Sequence, residues 1–196
     1  KDFKIPNGYF HLLNTYLMQQ QLVDDVLKKL AEQDQKILKN VLTLPIAEQS
    51  SHVLFFKLLD ITKRYAPPNF IFEMVKYVQP EHFGVLGYMA TRSGSVAEAL
   101  QYIIRFSRLV IDGDEIVPMQ IHQHEEYLAL TWPYIDERYN LINELTNAMM
   151  IELGRKILPE HQFPLSQVGF AHQALIPIYY YQKFYGCTLE FNQTEY

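Results

Sequence analysis

Two histidines and two glutamates near the middle of the chain could bind a metal ion or transfer a proton. His122 and His124 flank Gln123, and Glu125 and Glu126 follow directly. Residues two apart on a strand share a face, so the two imidazoles could chelate a metal. The same pattern is typical of a polar exposed turn, because no third ligand is adjacent in sequence. The sequence leaves both interpretations open.

A nucleophile beside a catalytic base is not evident. The single cysteine, Cys187, has no adjacent base, and we expect it to be a small buried apolar residue. Neither GxSxG, GxGxxG nor Gly-Lys-Ser/Thr occurs. We therefore expect no enzyme, no catalytic residue, no cofactor and no metal. The alternative is a stand-alone metal-binding protein or enzyme that uses His122, His124 and Glu125.

Aromatic residues are a denser signal, since the chain contains 14 Tyr and 12 Phe. Residues 179–181 are all tyrosine, with Phe184 and Tyr185 close behind, while Tyr127 and Trp132 lie near a predicted hairpin. These rings predict either a hydrophobic core with an amphipathic rim or an aromatic-lined pocket for a small ligand.

Helical periodicity dominates the first 110 residues or so. Apolar residues recur there every three or four positions. Helices are predicted to begin near Asn7, near Val23, after Pro45 and near Asn69. Ser95 and Glu98 form a capping box for a further helix that continues to about Leu109.

The periodicity changes to two from about residue 111. Residues 116–122 and 126–132 predict a hairpin, a long helix follows over 135–158, and 168–172 and 189–191 predict two later strands. The fold class is α+β: a helical first part, then a small mixed or antiparallel sheet packed with a long helix. We predict one domain over 1–196, with a helical subregion of about 1–110 and an α+β subregion of about 111–196.

Composition limits the class of protein. Seventeen Lys and Arg against 22 Asp and Glu give a net charge of -5, which argues against nucleic-acid binding by these residues alone. The apolar runs are too short to span a bilayer, and a single cysteine fits a reducing compartment. We expect a cytoplasmic protein with no membrane partner.

Three segments together resemble one known family. Residues 84–100, GVLGYMATRSGSVAEAL, resemble the GxxGY stretch and capped helix of the N-terminal effector-binding (arabinose-binding-like) domain of AraC-type bacterial transcriptional regulators. VGFAH at 168–172 is similar to a strand of that domain, and YQKFYGCTLEF at 181–191 to its YxxFFGCxVxF element. After His172 the family usually has prolines, where this chain has Gln173-Ala-Leu.

The resemblance implies the sensor half of a cytoplasmic bacterial transcription factor. Such a domain would bind a small-molecule effector, whose identity the sequence does not reveal, and would form a homodimer. The family continues into a C-terminal domain of two helix-turn-helix units, which is absent from this chain. DNA would be contacted only through that absent domain.

Six polar-tipped residues are the expected ligand contacts, because they lie where helices and sheet should meet. They are Tyr88, Arg92, His122, Tyr127, Trp132 and His172. Gly84 and Gly87 are expected to permit a close backbone approach rather than to bind phosphate.

The long helix over 135–158 is a candidate dimer contact, because its apolar residues cover more than one narrow stripe. These residues are Leu141, Leu145, Met149, Met150 and Leu153. The alternative is that the helix is buried on two sides within its own subunit.

Overall fold

The computed structural model describes residues 3–95, 97–99, 101, 119–158 and 164–196. Its α-helices are α1 (Asn7–Gln19), α2 (Val23–Leu27), α3 (Glu32–Thr43), α4 (His52–Tyr65), α5 (Phe70–Met74), α6 (Val85–Thr91), α7 (Asn140–Ile157) and α8 (Ile178–Tyr185). Its strands are β1 (Lys4–Pro6), β2 (Gln49–Ser51), β3 (Gln120–Gln123), β4 (Leu128–Thr131), β5 (Gln167–Gly169) and β6 (Thr188–Glu190). This arrangement confirms the α+β class.

Helix α1 lies at the centre of the helical part. Phe10, Leu13, Tyr16 and Leu17 are all buried, because α1 packs against α2, α3 and α5. Phe10 meets Phe55 of α4 edge to face, with ring centroids 5.1 Å apart. The predicted apolar face of this helix is therefore confirmed as a core surface.

Strands β1 and β2 were not expected within the helical part. They pair antiparallel, and Ile5 lies opposite Ser50. Helix α1 begins at Asn7, as predicted, and Pro6 occupies its N-cap position. The Asn7 amide is fully buried, donates to the Pro45 carbonyl at 3.3 Å and accepts from the Ser50 hydroxyl at 2.6 Å. The predicted helix after Pro45 consequently begins only at His52.

Helix α3 was not predicted. Only Leu38 and Val41 of its twelve residues are buried, so its apolar signal is sparse. Lys57 of α4 reaches Asp34 of α3 at 3.0 Å, a partly exposed contact between the two helices.

The late strands form two separate pairs. The predicted hairpin is confirmed: β3 and β4 are antiparallel, with His122 opposite Ala129. Strands β5 and β6 are parallel, because α8 provides the crossover between them. Gly186 ends α8 with φ of 65°, as its C-cap position predicts. Residues 116–118 of the predicted hairpin lie outside the described ranges.

The two glycines of the GVLG segment do permit close backbone contact, as predicted. Gly84 has φ of 61° and ψ of -136°, a conformation open essentially to glycine. A Cβ atom on Gly87 would overlap the backbone carbonyl of Pro80. The chain can therefore turn from the 3₁₀ helix Pro80–Phe83 into α6 only with glycine at both positions.

The capping box after α6 is confirmed in one of its two hydrogen bonds. Ser95 Oγ accepts from the Glu98 amide at 3.2 Å, while the Glu98 carboxylate accepts from the Gly94 amide at 2.7 Å. The expected continuation of this helix to Leu109 lies outside the residues that the structure describes.

One hydrophobic core contains residues from both predicted subregions, from Ile5 in β1 to Tyr196. Helix α7 supplies Leu145, Met149 and Leu153 to it. Arg155 also joins α7 to α8, because its guanidinium donates to the Phe184 carbonyl at 2.8 Å and to the Tyr185 carbonyl at 2.9 Å.

Candidate functional site

A cavity of about 1180 Å³ lies between the β3–β4 hairpin, α7, residues 164–169 and residues 193–196. The hairpin and α7 each contribute residues to its wall. Much of the described wall is apolar, and its apolar residues include Ile121, Leu130, Met150, Ile151 and Ile157. A concave, mainly apolar space with a few polar groups is the usual form of a small-ligand site.

Asn147 is a buried polar residue of this wall. It is 8% exposed, and its Oδ1 atom has no hydrogen-bond partner within the described part of the chain. Beside it, the Thr146 hydroxyl lies 3.2 Å from the Tyr9 hydroxyl. Asn147 Oδ1 itself has almost no accessible surface, so it is a buried polar atom whose lack of a partner costs free energy.

Acidic residues surround the cavity. Glu125 and Glu126 come from the hairpin turn, Glu190 ends β6, and Glu195 lies near the chain end. All four are exposed. Among the described lining residues there is no lysine or arginine. The described part of the cavity edge therefore carries four carboxylates without a basic side chain.

Trp132 connects the cavity wall to the last residue of the chain. Its backbone amide donates to the Tyr196 carbonyl at 3.0 Å, and the Tyr196 amide donates back at 2.9 Å. The two rings stack with centroids 5.6 Å apart, and Trp132 Nε1 donates to Asn143 Oδ1 at 3.1 Å. Trp132 is thus bonded both to Tyr196 and to α7.

A second polar cluster is buried between α7 and α8. Glu144 is 2% exposed and accepts a hydrogen bond from the Tyr181 hydroxyl, which itself accepts from the Leu175 amide at 3.0 Å. Burial raises the pKa of Glu144 to about 7, against the lowering effects of the Tyr181 bond and of Lys63.

His172 lies beside this carboxyl group. Its Nε2 atom is 3.7 Å from Glu144 Oε1, and Nδ1 lies 2.7 Å from the Gln173 carbonyl. Burial lowers the pKa of His172, while it raises that of Glu144. Both groups therefore favour their neutral forms, and we interpret the contact as a neutral one rather than an ion pair.

The structure brings only two of the six expected ligand residues to the cavity. Tyr127 and Trp132 line it. His122 is exposed, with Nε2 3.1 Å from Thr131 Oγ1, and its strand neighbours Ile121 and Gln123 line the cavity in its place. Alternation along β3 explains this, because His122 lies on the opposite face.

The other three expected residues lie elsewhere. Tyr88 is 56% exposed, and the Arg92 guanidinium lies 4.5 Å above its ring. His172 is buried in the cluster with Glu144. None of the three is among the cavity-lining residues.

The metal alternative finds no supporting geometry. Across the described residues, no three His, Cys, Asp or Glu side chains are grouped to hold an ion. His124 stacks on Tyr127, with ring centroids 4.3 Å apart, and His122 contacts Thr131. The hairpin tip therefore fits the other interpretation, a polar exposed turn.

Sequence reasoning missed both Asn147 and Glu144. They are three residues apart in α7, so both interrupt its apolar surface. A polar residue inside an otherwise apolar helical pattern is the signal that could have indicated them.

Helix α7 is covered along most of its length by its own subunit. None of residues 140–154 is exposed, and Leu141 and Met150 pack against the core. This burial supports the alternative that the helix is buried on two sides.

Comparison with known proteins indicates the family of this domain. A family model described as the arabinose-binding domain of AraC transcription regulator, N-terminal, matches residues 31–196. The comparison with curated proteins gives no match. In the described ranges, no helix has the length and apolar character needed to cross a membrane.

Proposed function

The chain belongs to the family of N-terminal arabinose-binding domains of AraC transcription regulators, a ligand-sensing regulatory family, and we propose that its cavity binds the effector. The supporting observation is the mainly apolar cavity of about 1180 Å³ bordered by the β3–β4 hairpin and α7. On this proposal residues 1–196 form one sensor domain of a cytoplasmic bacterial transcription factor. A single core with residues from both subregions supports one domain.

We propose that the effector acts on DNA binding through Trp132 and Tyr196. Trp132 lines the cavity, and two backbone hydrogen bonds fasten it to Tyr196. In the family, the DNA-binding domain follows this sensor domain in the chain. A ligand that favours one position of Trp132 would therefore bias the attachment of that domain, provided that it binds the two states with different affinity.

Ligand binding is expected to stabilise the 196-residue protein. At 100 times its Kd, a ligand specific for the native state adds about 2.7 kcal/mol, or roughly 5–10 °C in Tm for a chain of this size. Thermal unfolding with a chemically diverse set of metabolites tests this, followed by calorimetry for stoichiometry. Trp132→Ala should weaken binding at least tenfold, since it removes a wall residue.

Tyr88→Ala is the matched control, because Tyr88 is an exposed aromatic residue outside the cavity wall. Its affinity should equal that of the wild type. An equal loss in both variants would contradict this placement of the site. Absence of saturable binding by any compound would contradict the sensor function.

We also propose that the protein forms a homodimer through a surface other than α7. Ile178 and Tyr179, at the start of α8, are 50% and 57% exposed and offer apolar contact area. Sedimentation should give about twice the chain mass of 23.1 kDa, and Tyr179→Glu should yield monomers. Tyr65→Glu, an exposed tyrosine on α4, is the control. A wild-type monomer at the highest soluble concentration would refute the dimer.

A further inference from the structure

The buried cluster of Glu144, Tyr181 and His172 is separated from the cavity wall by a single aromatic ring. The His172 ring contacts the Tyr196 ring, with centroids 5.6 Å apart, and the Tyr196 ring stacks on Trp132 at the same separation. Trp132 and Tyr196 both line the cavity. Tyr196 therefore contacts the cluster on one side and the cavity wall on the other.

Backbone hydrogen bonds connect the same two places. The Asn192 amide donates to the His172 carbonyl at 3.2 Å, and the Gln193 amide donates to the Phe170 carbonyl at 3.0 Å. Residues 193–196 all line the cavity. The segment that carries His172 is thus bonded directly to a segment that forms one side of the cavity.

The surroundings of Glu144 suit an uncharged carboxyl group. The Glu144 and His172 side chains are each only 3% exposed, and Glu144 accepts a hydrogen bond from the Tyr181 hydroxyl. His172 Nδ1 lies 2.7 Å from the Gln173 carbonyl, which only accepts, so Nδ1 carries the proton of the neutral ring. Nε2, 3.7 Å from Glu144 Oε1, has no partner among the described residues. A carboxylate in this place would be buried and poorly paired, which is costly.

The other ionisable groups near Glu144 compensate its charge only in part. Lys63 of α4 lowers the pKa of Glu144, but burial raises it by more. The hydroxyls of Tyr185 in α8 and of Tyr196 have raised pKa values, in part because Glu144 is near, so they stay neutral. Glu144 and His172 are therefore the groups of this region that change charge near neutral pH.

We propose that loss of the Glu144 proton opens the buried cluster, and that Tyr196 transmits this change to Trp132 in the cavity wall. The proton leaves to the solvent, and water enters between α7 and α8 to bind the carboxylate. Entry of water displaces the His172 ring from its contact with Tyr196. The cavity wall would thus respond to pH without any ligand, and a ligand would be bound more tightly by one of the two states.

Trp132 is the single tryptophan of the chain, so its fluorescence reports on this wall alone. In the full 196-residue protein, its emission should shift to longer wavelength and its quenching by acrylamide should increase as the pH rises to about 8. The midpoint should lie between the ordinary pKa of 4.5 and the folded-state value of about 7. Far-UV circular dichroism should stay constant over this range, because the chain remains folded.

Glu144→Gln keeps the size of the side chain and cannot ionise. It should lose the shift at rising pH and keep only a shift at low pH, where His172 becomes protonated. Glu137→Gln, an exposed substitution, is the control and should reproduce the wild-type titration. A wild-type emission that does not shift as the pH rises, or a shift that persists in Glu144→Gln, would overturn the proposal.

His172→Gln tests the route from the cluster to the wall. Its Trp132 emission should no longer shift as the pH rises, while its free energy of unfolding should still fall, because Glu144 remains buried. A purely structural role of His172 would instead leave the emission shift intact.

Tyr181→Phe is the second variant if Glu144→Gln does not fold. It removes the hydrogen bond that lowers the pKa of Glu144, so the midpoint of the emission shift should move to higher pH. An unchanged midpoint would contradict the assignment of the shift to Glu144. No ligand takes part in these titrations, so a failure to find an effector would contradict the sensor function and leave the pH response standing.

Discussion

Gly87→Ala is expected to lower the free energy of unfolding by about 3 kcal/mol, near the upper end of the cost of overpacking. The new methyl group would overlap the Pro80 carbonyl, which belongs to the backbone and cannot rotate away. Relief requires that α6 separate from the 3₁₀ helix Pro80–Phe83, which also contributes the buried residues His82 and Phe83.

Thermal denaturation measures this effect, and about 3 kcal/mol should lower Tm by roughly 6–12 °C. Gly94→Ala is the control, because its methyl group would meet only the flexible Glu98 carboxylate at 3.4 Å. That variant should retain the wild-type Tm within a degree or two. Equal Tm values for Gly87→Ala and wild type would show that the two backbones do not touch.

The free energy of unfolding of the wild type should fall as the pH rises, because Glu144 ionises. Glu144→Gln should not show this fall. The folded-state pKa of Glu144 is about 7 and its ordinary value is 4.5, so folding strengthens proton binding. The stability contributed by the protonated Glu144 is fully present below pH 4.5 and is lost as the pH rises towards 7. A shift of this size corresponds to about 3 kcal/mol.

Denaturant unfolding between about pH 5 and pH 8 tests this expectation. Glu144→Gln can still accept from the Tyr181 hydroxyl, and at the upper pH it should exceed the wild type by about 2–3 kcal/mol. Glu137→Gln, an exposed substitution, should reproduce the wild-type profile. Parallel profiles for wild type and Glu144→Gln would mean that Glu144 is solvated in the native state.

His172 contributes with the opposite sign. Burial lowers its pKa from 6.5, so stability falls as the pH drops below that value. The loss of stability at low pH should persist in Glu144→Gln. The pH profile of this variant therefore separates the effect of His172 from that of Glu144. The cluster therefore stabilises the fold most at a pH between the low-pH loss caused by His172 and the high-pH loss caused by Glu144.

Local sequence patterns were sufficient to predict the hairpin, α7 and the glycine-dependent turn into α6. Each depends on residues close in sequence: alternation over β3 and β4, a helical period over 140–157, and Gly84 with Gly87. The β1–β2 pair joins three-residue segments that lie far apart in the sequence, and neither segment carries a periodic signal of its own. Its pairing depends on how α1 and α4 pack.

Residue type alone did not indicate which side chains line the cavity. His122 and Trp132 are both polar-tipped residues of the hairpin region, but only Trp132 lines the cavity. His122 lies on the face of β3 opposite Ile121 and Gln123, and the sequence could not assign either face to cavity or solvent. Asn147 gained its importance from an unpaired oxygen, a property of its surroundings rather than of its type.

The sequence by itself determined the fold class, the principal helices, the hairpin and the family, because these depend on local periodicity and short motifs. Tertiary structure decided which polar groups lose water, and so which of them carry perturbed pKa values or unpaired acceptors. Glu144, His172 and Asn147 acquire these properties only when α7 is enclosed. Desolvation depends on the whole set of neighbouring atoms, most of them distant in the chain.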